Sequence, residues 1–131
     1  MKLEKGVIIM GKAFEIVNKF YDATNNRKSI KETTKLIADD LTFTGPVIQT
    51  RGAKEYLALL EKFLPTHVET RMIRQFEDGN DVCSIYDLFQ KTPTGATITL
   101  RVADWVRVSG DRVAEQKIYY DPREFVKAFG L

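Results

Sequence analysis

Asp104 is the carboxylate most clearly placed for chemistry. It lies in Thr97–Val108, TITLRVADWVRV, where Ile98, Leu100, Val102, Val106 and Val108 alternate onto one face of a strand. Thr97, Thr99, Arg101, Ala103, Trp105 and Arg107 take the other face. The same register puts Asp104 on the apolar face, between Val102 and Val106. A carboxylate there must be paired, hydrogen-bonded or held neutral by a raised pKa. It is then either a polar spot in a core or the working group of an apolar pocket, and the chemistry open to it is general acid–base catalysis. The chain has one histidine, His67, and one cysteine, Cys83. A Ser-His-Asp triad or a His-rich metal site would have to use His67, and nothing near it has ligand spacing. No metal ligands are assigned and no cofactor is expected.

The elements that must position Asp104 follow from periodicity. Residues 12–27, KAFEIVNKFYDATNNR, read as an amphipathic helix with Ala13, Ile16, Val17, Phe20, Tyr21 and Thr24 on one side. Ser29 and Glu32 form a capping-box pattern for a second helix ending near Ala38-Asp39-Asp40. Leu41–Thr44 is a short strand stopped by Gly45-Pro46, and Val47–Thr50 is extended again. A third helix, AKEYLALLEKFL, follows Gly52 and stops at Pro65.

Strands then dominate. Val68–Glu77 places Val68, Thr70, Met72, Arg74 and Phe76 on one side. Val82–Lys91 places Cys83, Ile85, Asp87 and Phe89 on one side and Val82, Ser84, Tyr86 and Leu88 on the other. Short turns lead through Thr97–Val108 to Arg112–Tyr120, which predicts an antiparallel meander. Asp121-Pro122-Arg123-Glu124 opens a closing helix, with Asp121 as its N-cap. Helices first and strands second predict an α+β fold.

At 131 residues the chain is read as an N-terminal tail, 1–11, and a single domain, 12–131. Met10 is an alternative start to Met1. Net charge is +2 and the basic residues are scattered, so nucleic-acid binding has no electrostatic footprint. The longest apolar run, Val7–Met10, is far short of a membrane span, and MKLEKGVIIMGK is not read as a signal peptide. A lone Cys83, expected as a small buried hydrophobe, fits a reducing cytoplasm. His67 is expected at the surface.

Five stretches in order carry a resemblance: FYDATNN, IADDLTFTGP, TRGAKEYLALL, YDLFQKTPTGATITLRVADWVRVSGDRV and KIYYDPREF. Together they resemble the nuclear-transport-factor-two-like superfamily, which includes SnoaL-like proteins, ketosteroid isomerases and limonene epoxide hydrolase. The resemblance covers the chain from Lys12 onward. It implies a cone, a cystatin-like α+β barrel in which a curved antiparallel sheet wraps the N-terminal helices around an apolar pocket. It also implies a homodimer through the outer sheet face, where Trp105, Ala103 and Thr99 fall.

The resemblance implies site residues one at a time. Asp104 resembles the isomerase aspartic acid that donates a hydrogen bond to a developing oxyanion. Tyr21 resembles that family's oxyanion-hole tyrosine, with Phe20 as the alternative holder of the position. The isomerase's general base corresponds to Gly45, so that base is missing. Asp87 and Asp121 resemble the two carboxylates of limonene epoxide hydrolase, but Ile85 stands where its bridging arginine should. SnoaL-like cyclases use one acid–base carboxylate in an apolar cavity, a looser pattern for which Asp87, Asp104 and Asp121 all qualify. Phe20, Phe43, Ile85, Phe89 and Tyr120 are expected to line the pocket. The function expected is binding of a small, largely apolar organic molecule, with cofactor-free isomerase, cyclase or hydrolase chemistry. The alternative is a non-catalytic ligand-binding or dimerisation module of the same fold.

Overall fold

The computed structural model describes residues 2–4, 7–9 and 11–131. Met1 and Met10, the two candidate starts, lie outside the described residues. Strands β1 (Lys2–Glu4) and β2 (Val7–Ile9) pair antiparallel as a small ladder of their own. The main body has helices α1 (Lys12–Tyr21), α2 (Ile30–Thr34), α3 (Ala53–Phe63) and α4 (Arg123–Phe129). Its strands are β3 (Ile37–Thr44), β4 (Gln49–Arg51), β5 (His67–Asp78), β6 (Asp81–Lys91), β7 (Thr97–Ser109) and β8 (Arg112–Tyr119).

These six strands form one curved, unclosed sheet in the order β4-β3-β8-β7-β6-β5. The expected meander is present from β5 to β8, each pair antiparallel. The early strand β3 returns to lie parallel to β8, setting Phe43 beside Gln116. The sheet is therefore mixed, because α3 and the long strands intervene between two neighbours that run the same way.

Helix α1 buries Ala13, Ile16, Val17, Phe20 and Tyr21 against the concave face. Its N-terminus is held by Glu77 of β5, whose carboxylate accepts from Gly11 N–H at 3.2 Å and Phe14 N–H at 2.8 Å. A Cβ at position 11 would overlap that carboxylate, so glycine permits the close approach. The expected single helix over 12–27 changes character after Tyr21: Asp22–Asn26 is a π-turn, closed by Arg27 N–H to the Asp22 carbonyl at 3.0 Å. Within it the Thr24 hydroxyl donates back to the Phe20 carbonyl at 3.0 Å.

Ser29 caps α2 by accepting from Glu32 N–H at 3.1 Å. That helix ends at Thr34 rather than near residues 38–40. Ile37 instead starts β3, with its β-branched side chain fully buried in the sheet. Gly52 joins β4 to α3 at φ +87°, a left-handed conformation that favours glycine, and its N–H donates to the Leu41 carbonyl at 2.7 Å.

The expected facing of β5 holds for Thr70 and Met72 alone, since Val68 is itself the extra residue of a register shift between His67 and Glu69. The pairing register shifts between Met72 and Arg74, which leaves Ile73 as the extra residue of a bulge. Beyond it Gln75 and Glu77 pair with Ser84 and Val82, while Arg74 and Phe76 pair with Ile85 and Cys83. One inserted residue therefore exchanges the two faces.

Candidate functional site

Strand β7 buries Leu100, Val102, Asp104, Val106 and Val108 on its inner face. Asp104 is completely buried and is paired across the sheet with Ser84 of β6 and Ile118 of β8. It stands in the wall of a cavity of about 180 Å³ between the concave face, α1 and α3. Most of the wall is apolar: Phe20, Phe43, Leu60, Leu88, Leu100 and Val102 are representative.

A directional chain of hydrogen bonds ends on Asp104. Tyr56 of α3 donates its hydroxyl to Gln116 Oε1 at 2.7 Å. That turns the Gln116 amide nitrogen toward Asp104, where it donates to Oδ1 at 3.1 Å and Oδ2 at 3.0 Å. Tyr86 donates its hydroxyl to Oδ2 at 2.7 Å. No Lys or Arg among the described residues pairs with Asp104.

Two opposing effects set its acidity. Burial raises the Asp104 pKa, while donation from Tyr86 and Gln116, with a smaller pull from the approaching Tyr21 hydroxyl, lowers it; the result is about 6, against an ordinary value of 3.8. The phenols of Tyr21, Tyr56 and Tyr86 are all raised well above the usual range, first by burial and then by the nearby Asp104 charge. They remain donors at any physiological pH. Tyr21 Oη is buried beside this network, close enough to Ser84 and Asp104 to bear on their electrostatics, yet it completes no well-aligned hydrogen bond among the described residues.

The expected site residues divide between the two faces of the sheet. Asp104, Tyr21, Phe20, Phe43 and Tyr120 line the cavity together. Asp87, Ile85 and Phe89 have the opposite parity on β6 and lie on the outer face, so the pocket roles expected for them do not fit the geometry. Asp87 pairs across the sheet with Arg101, with 3.8 Å between Oδ1 and Nε, and shares an outer groove with Ile73, Ile85 and Tyr119. Phe89 lies under the Arg71 guanidinium. Asp121 lies outside the cavity as well. Its exposed carboxylate accepts from the Arg123 backbone N–H at 3.1 Å and from its guanidinium Nε at 3.0 Å. Those bonds hold its pKa down at about 2.

His67 is half-buried rather than at the surface. Its Nε2 shares a 2.8 Å hydrogen bond with the Thr70 hydroxyl, and burial together with the Lys28 charge lowers its pKa. Cys83 is partly exposed on the outer face between Phe76 and Trp105, because that face of β6 is not covered.

Tyr86, Gln116 and Tyr56 are the functional neighbours that periodicity did not single out. Tyr86 carried a partial signal, the parity it shares with Ser84, which becomes informative only once the strand register pairs Ser84 with Asp104. Gln116 did not: the β7–β8 register shifts between Arg107 and Val108, which breaks the alternation of Arg112–Tyr119.

A family model described as a SnoaL-like domain matches residues 17–116. No curated protein matches the chain. Among solved structures, an NTF2-like protein of unknown function from Cytophaga hutchinsonii is 24% identical, with a TM-score of 0.75 over 91% of this chain and 98% of that one. TerC, co-crystallised with polyporic acid, is 16% identical, with a TM-score of 0.77 over 92% of this chain and 100% of that one. A protein described as a candidate SnoaL-like polyketide cyclase from Shewanella denitrificans is 14% identical, with a TM-score of 0.76 over 91% and 97%. At these identities the likeness establishes a shared fold, the expected cone.

Proposed function

The chain belongs to the SnoaL-like domain family, and on that premise we propose that its cavity binds a small, largely apolar organic molecule and moves a proton on it without a cofactor. One observation carries the reading. Asp104 is a carboxylate in the wall of an apolar cavity, without a cationic partner among the described residues, titrating at about 6 beside a Tyr21 hydroxyl that completes no well-aligned hydrogen bond. The co-crystallisation of TerC with polyporic acid supports a cone of this fold as a holder of organic molecules.

The chemistry that fits is proton abstraction next to a carbonyl. Above about pH 6 the ionised Asp104 takes a proton from the carbon. The C–H electron pair forms the carbon–carbon double bond of an enolate, the C=O π pair moves onto oxygen, and Tyr21 donates a hydrogen bond to that developing oxyanion. Protonated Asp104 then returns the proton to a different carbon, which gives an isomer. Alternatively the enolate carbon attacks a second carbonyl of the same molecule, and the proton passes to the new alkoxide, which closes a ring. Hydrolysis by a carboxylate pair is not supported, because Asp87 and Asp121 stand outside the cavity.

A second reading, binding without turnover, has its own observation. Tyr86 and Gln116 already engage both oxygens of Asp104, and Gly45 supplies no second base. Deuterium exchange into β-tetralone, an enolisable apolar ketone, separates the two. Catalysis predicts exchange accelerated by the wild type, rising through about pH 6, and lowered at least about 100-fold by Asp104→Asn. Binding of the ketone with no acceleration, unchanged in the variant, would establish the binding module.

We also propose a homodimer through the outer sheet face. Ile73, Phe76 and Tyr119 are 60%, 48% and 55% exposed there, around Trp105 and Cys83. A contiguous apolar patch of this kind marks an interaction surface.

A further inference from the structure

The cavity has a second polar point that the acid–base chemistry does not use. Gln90, on β6, is 5% exposed and stands in the cavity wall, which Leu64, Leu88 and Asn25 also line. It lies six residues along the strand from Ser84, the partner of Asp104. That is roughly 20 Å of extended chain, so the two polar points sit toward opposite ends of the site.

The orientation of the Gln90 amide is fixed by its neighbour. The Thr66 hydroxyl donates to the Phe63 carbonyl at 2.6 Å, so its oxygen faces Gln90 as an acceptor. Gln90 Nε2 supplies the matching hydrogen at 3.3 Å. The carbonyl oxygen, Oε1, is therefore turned away from Thr66, and it is buried without a partner among the described residues. A buried carbonyl without a donor is destabilising, whereas leucine would occupy the same wall without that cost.

Taking the cavity to be a ligand site, as proposed above, we infer that its ligand is elongated, apolar along its length and polar at both ends. One end meets Asp104 and Tyr21. The other carries an O–H or N–H that donates to Gln90 Oε1. Gln90 thus selects against molecules of the same length that end in an apolar group or a bare acceptor.

The test uses linear 1-alkanols, the matching α,ω-alkanediols and the ω-methyl ethers of those diols, from about eight to about twelve carbons to bracket the span. Binding is measured by titration calorimetry. At the matching length the wild type is expected to bind the diol about five- to tenfold more tightly than the alkanol. The ether, which keeps the oxygen and lacks the hydrogen, shows no such gain; this comparison needs no variant. Gln90→Met, nearly isosteric without the carbonyl, removes the preference for the diol and leaves alkanol affinity within about twofold. Equal binding of diol, ether and alkanol at every length, or a diol preference that survives in Gln90→Met, overturns the inference while leaving the cavity reading intact. Failure of every compound to bind the wild type overturns the cavity reading and the inference with it.

Discussion

Replacing Asp104 by asparagine is expected to stabilise the protein at neutral pH while it abolishes proton transfer. The carboxyl titrates at about 6 in the folded chain against an ordinary value of 3.8. A rise of that size corresponds to about 3 kcal/mol, for a side chain with no solvent exposure to discount. Between about pH 4 and pH 6 the folded chain keeps a proton that the unfolded chain has lost. The Asp104 contribution is therefore fully present below about pH 4, is lost as pH rises, and has gone above about pH 6. Asparagine has nearly the same shape and stays neutral, so it takes no part in this change. Against the gain stands one mismatch. The asparagine oxygen can keep the Tyr86 bond, but its amide then faces the Gln116 amide. A flip of Gln116, with the Tyr56 hydroxyl turning from donor to acceptor, relieves it at a cost of about 1 kcal/mol at every pH. The variant should be about 1 kcal/mol less stable than wild type at pH 4 and about 2 kcal/mol more stable at pH 8. Urea unfolding of both proteins across pH 4–8 measures the difference, and the subtraction removes the other carboxylates. A difference that stays flat with pH would refute the buried-titration reasoning. One that falls as pH rises would show that the network stabilises Asp104 as an anion.

Three further outcomes follow from the same geometry. Tyr21→Phe removes a buried hydroxyl that completes no well-aligned hydrogen bond, so stability should hold within about 0.5 kcal/mol while β-tetralone exchange falls about tenfold or more; equal losses in both would make Tyr21 a packing residue. Asp87→Asn and Asp121→Asn should leave exchange within about twofold of wild type, and a collapse in either would restore a two-carboxylate mechanism. Analytical ultracentrifugation should find the wild type at twice the mass of the single chain and Tyr119→Arg at that of one chain; a wild type that sediments as a monomer would remove the outer-face dimer.

Much of the fold was legible because its signals are local. The Ser29–Glu32 cap, the glycine before α3 and the alternation of Thr97–Val108 each specify their own element. The inward position of Asp104 was legible for the same reason, since its neighbours at two-residue spacing are all apolar. Asp87 was not legible. Both parities of β6 carry apolar residues, with Val82, Tyr86 and Leu88 on one and Cys83, Ile85 and Phe89 on the other, so periodicity could not say which faced the core. Only the pairing of Ser84 with Asp104 and of Asp87 with Arg101 decides it, and register is a long-range property. The bulge at Ile73 and the parallel return of β3 beside β8 were hidden likewise, because each depends on a partner distant in sequence.

The cavity wall concentrates features that a mere core would avoid. Among the described residues Asp104 lacks a counter-ion, the Tyr21 hydroxyl approaches Asp104 and Ser84 without completing a well-aligned hydrogen bond, and the Gln90 carbonyl lacks a donor. Each lowers stability and each stands on the same cavity, around side chains that are otherwise apolar. A fold selected only for packing would carry leucine or methionine at such positions at no loss of volume. Convergence of three local violations on one surface is the pattern expected where stability has been given up for binding or catalysis. Asp87 Oδ1, on the outer face, also makes no close hydrogen bond, but it has the Arg101 guanidinium at 3.8 Å as its ion-pair partner. Thr50 Oγ1 and His67 Nδ1 are also unpartnered, and nothing in the structure explains them. The distribution therefore separates two surfaces: a cavity whose incompletely bonded groups a ligand would complete, and an outer face whose carboxylate already has a cation beside it.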